Sequence, residues 1–410
     1  MNKINILVVL LLFVGLGTQA QEITSSPYSF FGIGLQKFKG TTENRSMGGI
    51  GILSDSIHLN LQNPASYGNL ELTTYTLGAS HTSIDVQENS VSDKTSSTNI
   101  DYVALGVPAG KFGFGFGLVP YTGVGYKLRK VTDESLNEYT GKGGVNKLFL
   151  SLGYTVSKNL RVGVEGNYNF GSIENRSLLF QDQIQYGTLE RNESDLGGFG
   201  VNFGVQYDDY VSDNLKVKAS ANYSPSSILT SENTRSIALV RGRGQELRVR
   251  NVNPADTDFE LPEQYRIGVG IGEPQKWFAG LEYQSISSGN YNNRSFQVAD
   301  LEFKDAQTYR VGGFYLPDFD DVTSYFNRMT YRLGARFQEN GMTIRNEDIE
   351  EFGISFGLGL PAGPYLSNIN LGVEYGQRGT TNSGLVQEDF LSLFISVSFN
   401  DVWFRERKFK

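Results

Sequence analysis

His58 and His81 are the only histidines in the 410 residues, and there is no cysteine. A disulfide, a thiolate site and a multi-histidine metal centre are excluded, and a Ser-His-Asp arrangement would have to use one of these two side chains. Neither has an identifiable serine partner. Glu350-Glu351 and Asp320-Asp321 fall on expected connections, and Asp318, Asp320 and Asp321 lack the Gly and closing Glu of a calcium loop. The expectation is a non-enzyme without metal or cofactor. More telling are charges that occur singly, each flanked by an apolar residue: Arg161, Glu165, Arg266, Glu282, Arg310, Arg332, Arg336 and Glu374.

That placement belongs to a period of two. In Leu391–Phe399 the odd positions are large and apolar and the even ones are mostly Ser, and Leu160–Tyr168, Phe199–Tyr207, Trp277–Gln284 and Ile369–Tyr375 alternate in the same way. Each such segment is a strand with one apolar and one polar face. Hydrophobic residues make up only 39% of the chain and the mean hydropathy is −0.30, too low for a bundle of membrane helices. A membrane barrel needs only alternate residues apolar. Lys3, the apolar run Ile4–Gly17 and Thr18-Gln19-Ala20 read as a secretory signal cleaved after Ala20, with no Cys following to make a lipoprotein. An uncleaved anchor would need about 20 apolar residues. A net charge of −8 argues against nucleic acid as a partner.

The connections choose between a barrel and a soluble sandwich. Short turns are expected at 108–111, 157–159, 208–214, 272–276, 316–327 and 360–368. Longer polar loops are expected at 85–97, 130–144, 172–196, 226–262, 285–305, 338–350 and 377–387. Short and long connections alternate strictly and join about fourteen strands, with both chain ends on the short-turn side, as in an outer-membrane barrel. The fold class expected is all-β, an antiparallel transmembrane β-barrel of about fourteen strands with a small N-terminal hatch in the lumen. The expected division is signal peptide 1–20, hatch 21–69, barrel 70–400 and a periplasmic tail 401–410. Tyr and Phe recur at strand ends, among them Tyr154, Tyr207, Tyr283, Tyr375 and Phe399, where amphipathic rings would form interfacial girdles; β-propensity alone accounts for some of them.

If the apolar positions face lipid, the single charges point into the lumen. Structural ion pairing is the plain reading of them and a binding site the sharper one. The expected lumen lining is Phe278, Glu282, Arg310, Phe314, Arg332, Arg336 and Glu374. In Phe112–Leu118 every inward position is Gly, and in Phe352–Leu360 all are Gly or Ser, which leaves volume at the wall or lets another backbone approach. Residues 21–69, rich in Gly and Ser and not alternating, are the candidate to fill it.

Met47-Gly48-Gly49, then Ser54-Asp55-Ser56, then Asn63-Pro64-Ala65 ahead of a first strand from Leu70 resembles the N-terminal hatch of FadL-type long-chain fatty-acid transporters. Glu260–Gly270, led by Pro262, resembles the eighth strand of that family. The resemblance implies a barrel whose lumen is gated by the hatch, admitting a small hydrophobic, fatty-acid-like compound that leaves sideways through a kink in the third strand. The matching residues are Pro120, Tyr121, Thr122 and Gly123. A proline inside a strand cannot donate to the ladder and marks a wall defect or the end of the spanning part. The interior departs from the family in being charged rather than greasy. An alternative therefore stands: a non-transporting barrel subunit of an outer-membrane secretion or protein-assembly complex, as in PorV-like members. The partners expected are outer-membrane lipid, a hydrophobic small molecule and, for the alternative, envelope proteins meeting the Arg241–Arg250 stretch or the basic tail Arg405–Lys410.

Overall fold

The computed structural model describes residues 24–89, 91–242, 245–287, 300–362 and 367–402. The expected signal peptide, the tail from Arg405 and most of the 285–305 connection lie outside them. No helix among the described residues is long and apolar enough to cross a membrane.

The alternating segments form one closed antiparallel sheet of fourteen strands. β1 (Thr73–Glu88), β2 (Val91–Ala109), β3 (Phe112–Val131), β4 (Ser135–Thr155), β5 (Leu160–Gln181) and β6 (Gly187–Ser212) are each continuous. β7 consists of Leu215–Ser224 and Ser227–Arg241, and β8 of Gln245–Val252, Thr257–Leu261 and Gln264–Glu273. Pro225, Pro254 and Pro262 stand in their breaks, where a missing N–H interrupts the ladder. β9 (Trp277–Ile286), β10 (Leu301–Phe303 with Ala306–Tyr315), β11 (Thr330–Ile344), β12 (Glu347–Pro361), β13 (Asn368–Gly379) and β14 (Gln387–Asp401) follow. β14 pairs with β1 from Gln387↔Gln87 to Asp401↔Thr73 and closes the cylinder. Closure gives every strand a neighbour on both sides over at least part of its length, as a membrane-spanning sheet requires. Phe112, Phe114, Phe116, Leu150, Leu281, Leu333 and Leu393 are exposed on the outside, while their alternate neighbours are buried within.

The expected short turns fall where the strands turn. The long loops are a correction. Residues 85–97, 130–144, 172–196 and 338–350 are mostly strand, with hairpin turns of a few residues at their tips, and 226–262 is three strand pieces. β6 alone runs 26 residues, where about 9–11 suffice to span a membrane. Above the membrane both faces of a hairpin meet water, so the ladder persists while the alternation of apolar residues that reveals it disappears.

β2 and β3 pair only from Val103↔Leu118 to Ala109↔Phe112. Beyond Leu118, β3 keeps β4 on one side, with a register shift between Pro120 and Thr122. On its other side it takes a two-residue strand, Leu35–Gln36, against Gly123 and Thr122. The wall thus carries a seam between the upper parts of β2 and β3.

Candidate functional site

Residues 24–72 precede the barrel and pack on its inward faces. Local capping shapes them. Thr41 and Asn44 cap the one-turn helix Thr42–Arg45 reciprocally, and Asn63 caps the 3-10 turn Pro64–Asn69 through the Ala65 N–H, 3.0 Å away. Gly48 and Gly49 turn the chain at φ +68° and +89°, where a side chain would be strained. Gly48 N–H donates to Ser355 Oγ (2.9 Å) and Gly51 N–H to Glu282 (2.7 Å). Met47 packs with Ile50, Ile52 and Phe278. Asn63 Nδ2 donates to the Val205 carbonyl (3.2 Å), Pro64 lies against Gly163, and Ala65 is fully buried. Tyr67 covers the inward faces of Gly113 and Gly115, and Ser46 that of Gly357.

Charges tie this segment to the wall. Glu374 accepts from Arg45 of the segment (2.8 Å) and from Arg336 of β11, and Arg336 also reaches Glu351. Arg378 joins Glu351 (2.5 Å) to Glu388 (2.8 Å), and Ser26 Oγ donates to Glu388. Arg266 and Arg310 share Glu282, each at 3.3 Å, and Arg45 also faces Asp101 at 3.8 Å. Five arginines (45, 266, 310, 336, 378) therefore meet five carboxylates (101, 282, 351, 374, 388).

Of the residues expected to line the lumen, Glu282, Arg310, Arg336 and Glu374 fall in this network. Arg332 stands apart, donating to Asn370 Oδ1 (3.0 Å), whose amide donates to Glu43 (2.9 Å). Phe278 and Phe314 stack at 6.3 Å beneath Met47. The reading missed Glu351, Arg378 and Glu388, because they sit at the edges of segments taken for loops. Continuing the inward parity two positions past Gly353, Gly376 and Phe390 would have found them.

Above the network lies a cavity of about 240 Å³ between residues 31–39 and the inward faces of the wall, with Lys37, Lys39, Arg45, Arg310, Arg336 and Arg378 among its lining. At the seam, the Lys37 N–H donates to the Tyr121 carbonyl (3.0 Å). Ser25 Oγ donates to the Ser96 carbonyl (3.0 Å) and Gly125 N–H to Ser29 Oγ (3.0 Å), so the turn before Phe30 bridges β2 and β3. Tyr121 and Thr122 are buried there.

A family model describing BamG matches residues 1–410. The chain belongs to the BamG family. No curated protein matches it significantly. Among solved structures this BamG-family chain is similar to the CymD monoaromatic hydrocarbon channel (TM-score 0.62, 13% identity, covering 90% of this chain and 100% of that one). It is also similar to the Ralstonia pickettii toluene transporter TbuX (0.61, 15%, 89% and 99%) and to a Pseudomonas aeruginosa FadL homologue (0.58, 13%, 90% and 98%). At these identities the likeness is one of fold. The FadL-type resemblance read from short motifs thus extends to the whole barrel, while the family is BamG.

Near the turns of this BamG-family chain, His58 and Asp55 form an ionisable contact. His58 Nδ1 is 2.7 Å from Asp55 Oδ2, and its Nε2 is 3.1 Å from the Asn368 amide. Partial desolvation opposes charge on both groups, but their mutual attraction and hydrogen bond prevail, so His58 is raised and Asp55 lowered to about 2. The raised His58 stabilises the fold below its ordinary value and loses that contribution as pH rises through the raised one. The lowered Asp55 contributes above its ordinary value and loses its share as pH falls toward 2. The melting-temperature gap between the natural chain and His58→Gln is therefore expected to be widest below the ordinary histidine value of about 6.5 and to shrink as pH rises above it. A gap that stays constant over that rise refutes an ionic contact. His81, on β1, is 2.8 Å from Thr98 Oγ1.

Proposed function

We propose that this BamG-family barrel sits in the outer membrane as a closed, non-transporting subunit of a larger envelope assembly. The observation that carries this reading is the clamping of residues 24–72. Their Arg45 and Ser26 are held by buried wall carboxylates, and their backbone touches the wall directly at inward glycines. Withdrawing them would strip partners from buried charges, which costs several kcal/mol for each broken pair. A plug tied in this way is built to stay. What remains for function is the outer surface, above all the projecting hairpins. The strand Gln245–Val252 is exposed along its length, with Arg248 and Arg250 on it, and a basic surface of this kind suits an acidic partner.

The test is gentle extraction from the native outer membrane followed by native mass spectrometry. A fixed stoichiometric assembly is expected, weakened by Arg241→Glu, Arg248→Glu and Arg250→Glu together. A monomer carrying a lipid-like adduct would sink the proposal.

The seam favours a second reading. In it, a small hydrophobic compound enters the lumen past the hatch and leaves sideways between β2 and β3 at Pro120–Gly123, the turn before Phe30 moving aside. Under this reading, deleting residues 21–69 should raise passive uptake into liposomes. Unchanged permeability would mean that the segment is no plug.

A further inference from the structure

The cavity above the network is electrostatically incomplete. The five arginines and five carboxylates around it balance one another. Lys37 and Lys39 do not enter that balance: both line the cavity, and among the described residues neither has a carboxylate within 4 Å. Lys39 lies 3.7 Å from the centroid of the Tyr121 ring, a favourable contact but not a counter-charge. The nearest pair on its far side, Lys147 and Glu165 at 2.8 Å, is already closed on itself. Arg310, only 8% exposed, also lines the cavity and has Glu282 as its carboxylate. Two half-buried cations therefore face one space, and groups of this kind are costly unless paired.

We propose that this cavity binds a compact dianion of the phosphate-monoester type. A phosphate group of that type carries close to two negative charges near neutral pH and has several acceptor oxygens. A single carboxylate would leave one lysine uncompensated. The same space is lined by Ile33, Ile84, Ile286 and Phe390, so an ester with a short apolar tail fits as well as its head alone. This site does not depend on whether the barrel transports or serves as a subunit, since either can hold a bound ligand.

The test is isothermal titration of the full-length protein in a non-ionic detergent, with inorganic phosphate and hexyl phosphate as probes. Saturable binding is expected, at least tenfold weaker in Lys37→Met/Lys39→Met. That variant, with two half-buried charges that lack a carboxylate partner removed, should melt no lower than the natural chain when no probe is present. Tighter binding of hexyl phosphate would assign the ligand as a lipid-like monoester, and equal affinities would assign free phosphate. If the double variant does not fold, Lys37→Gln alone and a phosphate-dependent rise in the natural chain's melting temperature carry the test. No saturable heat with either probe, or affinity unchanged in the lysine variants, overturns the proposal.

Discussion

Replacing Glu374 with leucine is expected to be among the most damaging single changes in this barrel. Its carboxylate is 2% exposed and is shared by Arg45 of the N-terminal segment and Arg336 of β11. Removing it leaves Arg45 with only Asp101, at 3.8 Å, and Arg336 with only Glu351, which it shares with Arg378. Breaking a buried pair by deleting one member costs about 3–5 kcal/mol. Chemical unfolding followed by the fluorescence of Trp277 and Trp403 should show a loss of that size, and liposomes carrying the variant should leak small solutes. Pairing the change with Arg45→Leu should recover part of the stability, because Arg336 then keeps Glu351 and no cation of the N-terminal segment loses its closest carboxylate. A double variant as unstable as the single one would mean that the carboxylate acts through the wall alone.

The second large effect is steric. A Cβ built on Gly334 would lie 2.1 Å from the backbone of Met47 and Gly48, and one on Gly113 would lie 1.8 Å from the Tyr67 carbonyl. Both obstacles are backbone, so no rotamer relieves them. Gly334→Val is expected to cost at least the roughly 1–3 kcal/mol of ordinary overpacking and to unseat the turn at Gly48-Gly49. That turn should then become accessible to protease. Gly166 provides the contrast: nothing lies within 4 Å of its would-be Cβ, and Gly166→Ala should stay within about 0.5 kcal/mol. Equal sensitivity at the two positions would show that strand glycines matter here for backbone freedom and not for contact.

How much of this was legible in the sequence depended on whether one face of a segment was dry. Within the membrane, Phe112–Leu118 and Leu391–Phe399 alternate so cleanly that strand, facing and count could all be read from them. In 172–196 the ladder is just as regular, from Leu178↔Leu189 to Gly171↔Leu196, but both faces are polar and the segment resembled a loop. The lumen was partly legible. Glu282 and Arg310 announce themselves by their apolar neighbours, whereas Glu351 follows another Glu and Glu388 precedes an Asp, so each looked like surface acidity. Lys37 and Lys39 carried no signal, because they lie on a segment without periodicity whose placement is decided only by the wall around it.

The clamp also dictates an order of events during folding. Ser26 and Glu388 are 362 residues apart in the chain, and Arg45 and Glu374 are 329 apart. The carboxylates that hold Ser26 and Arg45 thus come from the last two strands, and β14 is the one that joins β1 and shuts the cylinder. Contacts so distant in sequence form late and slowly. Until β14 arrives, residues 24–72 have no closed chamber to enter and lack Glu388, the carboxylate that holds Ser26. Sealing of the wall and final seating of the segment should therefore coincide, so a chain stalled before β13 would be open-edged, with Arg45 and Ser26 not yet held by Glu374 and Glu388.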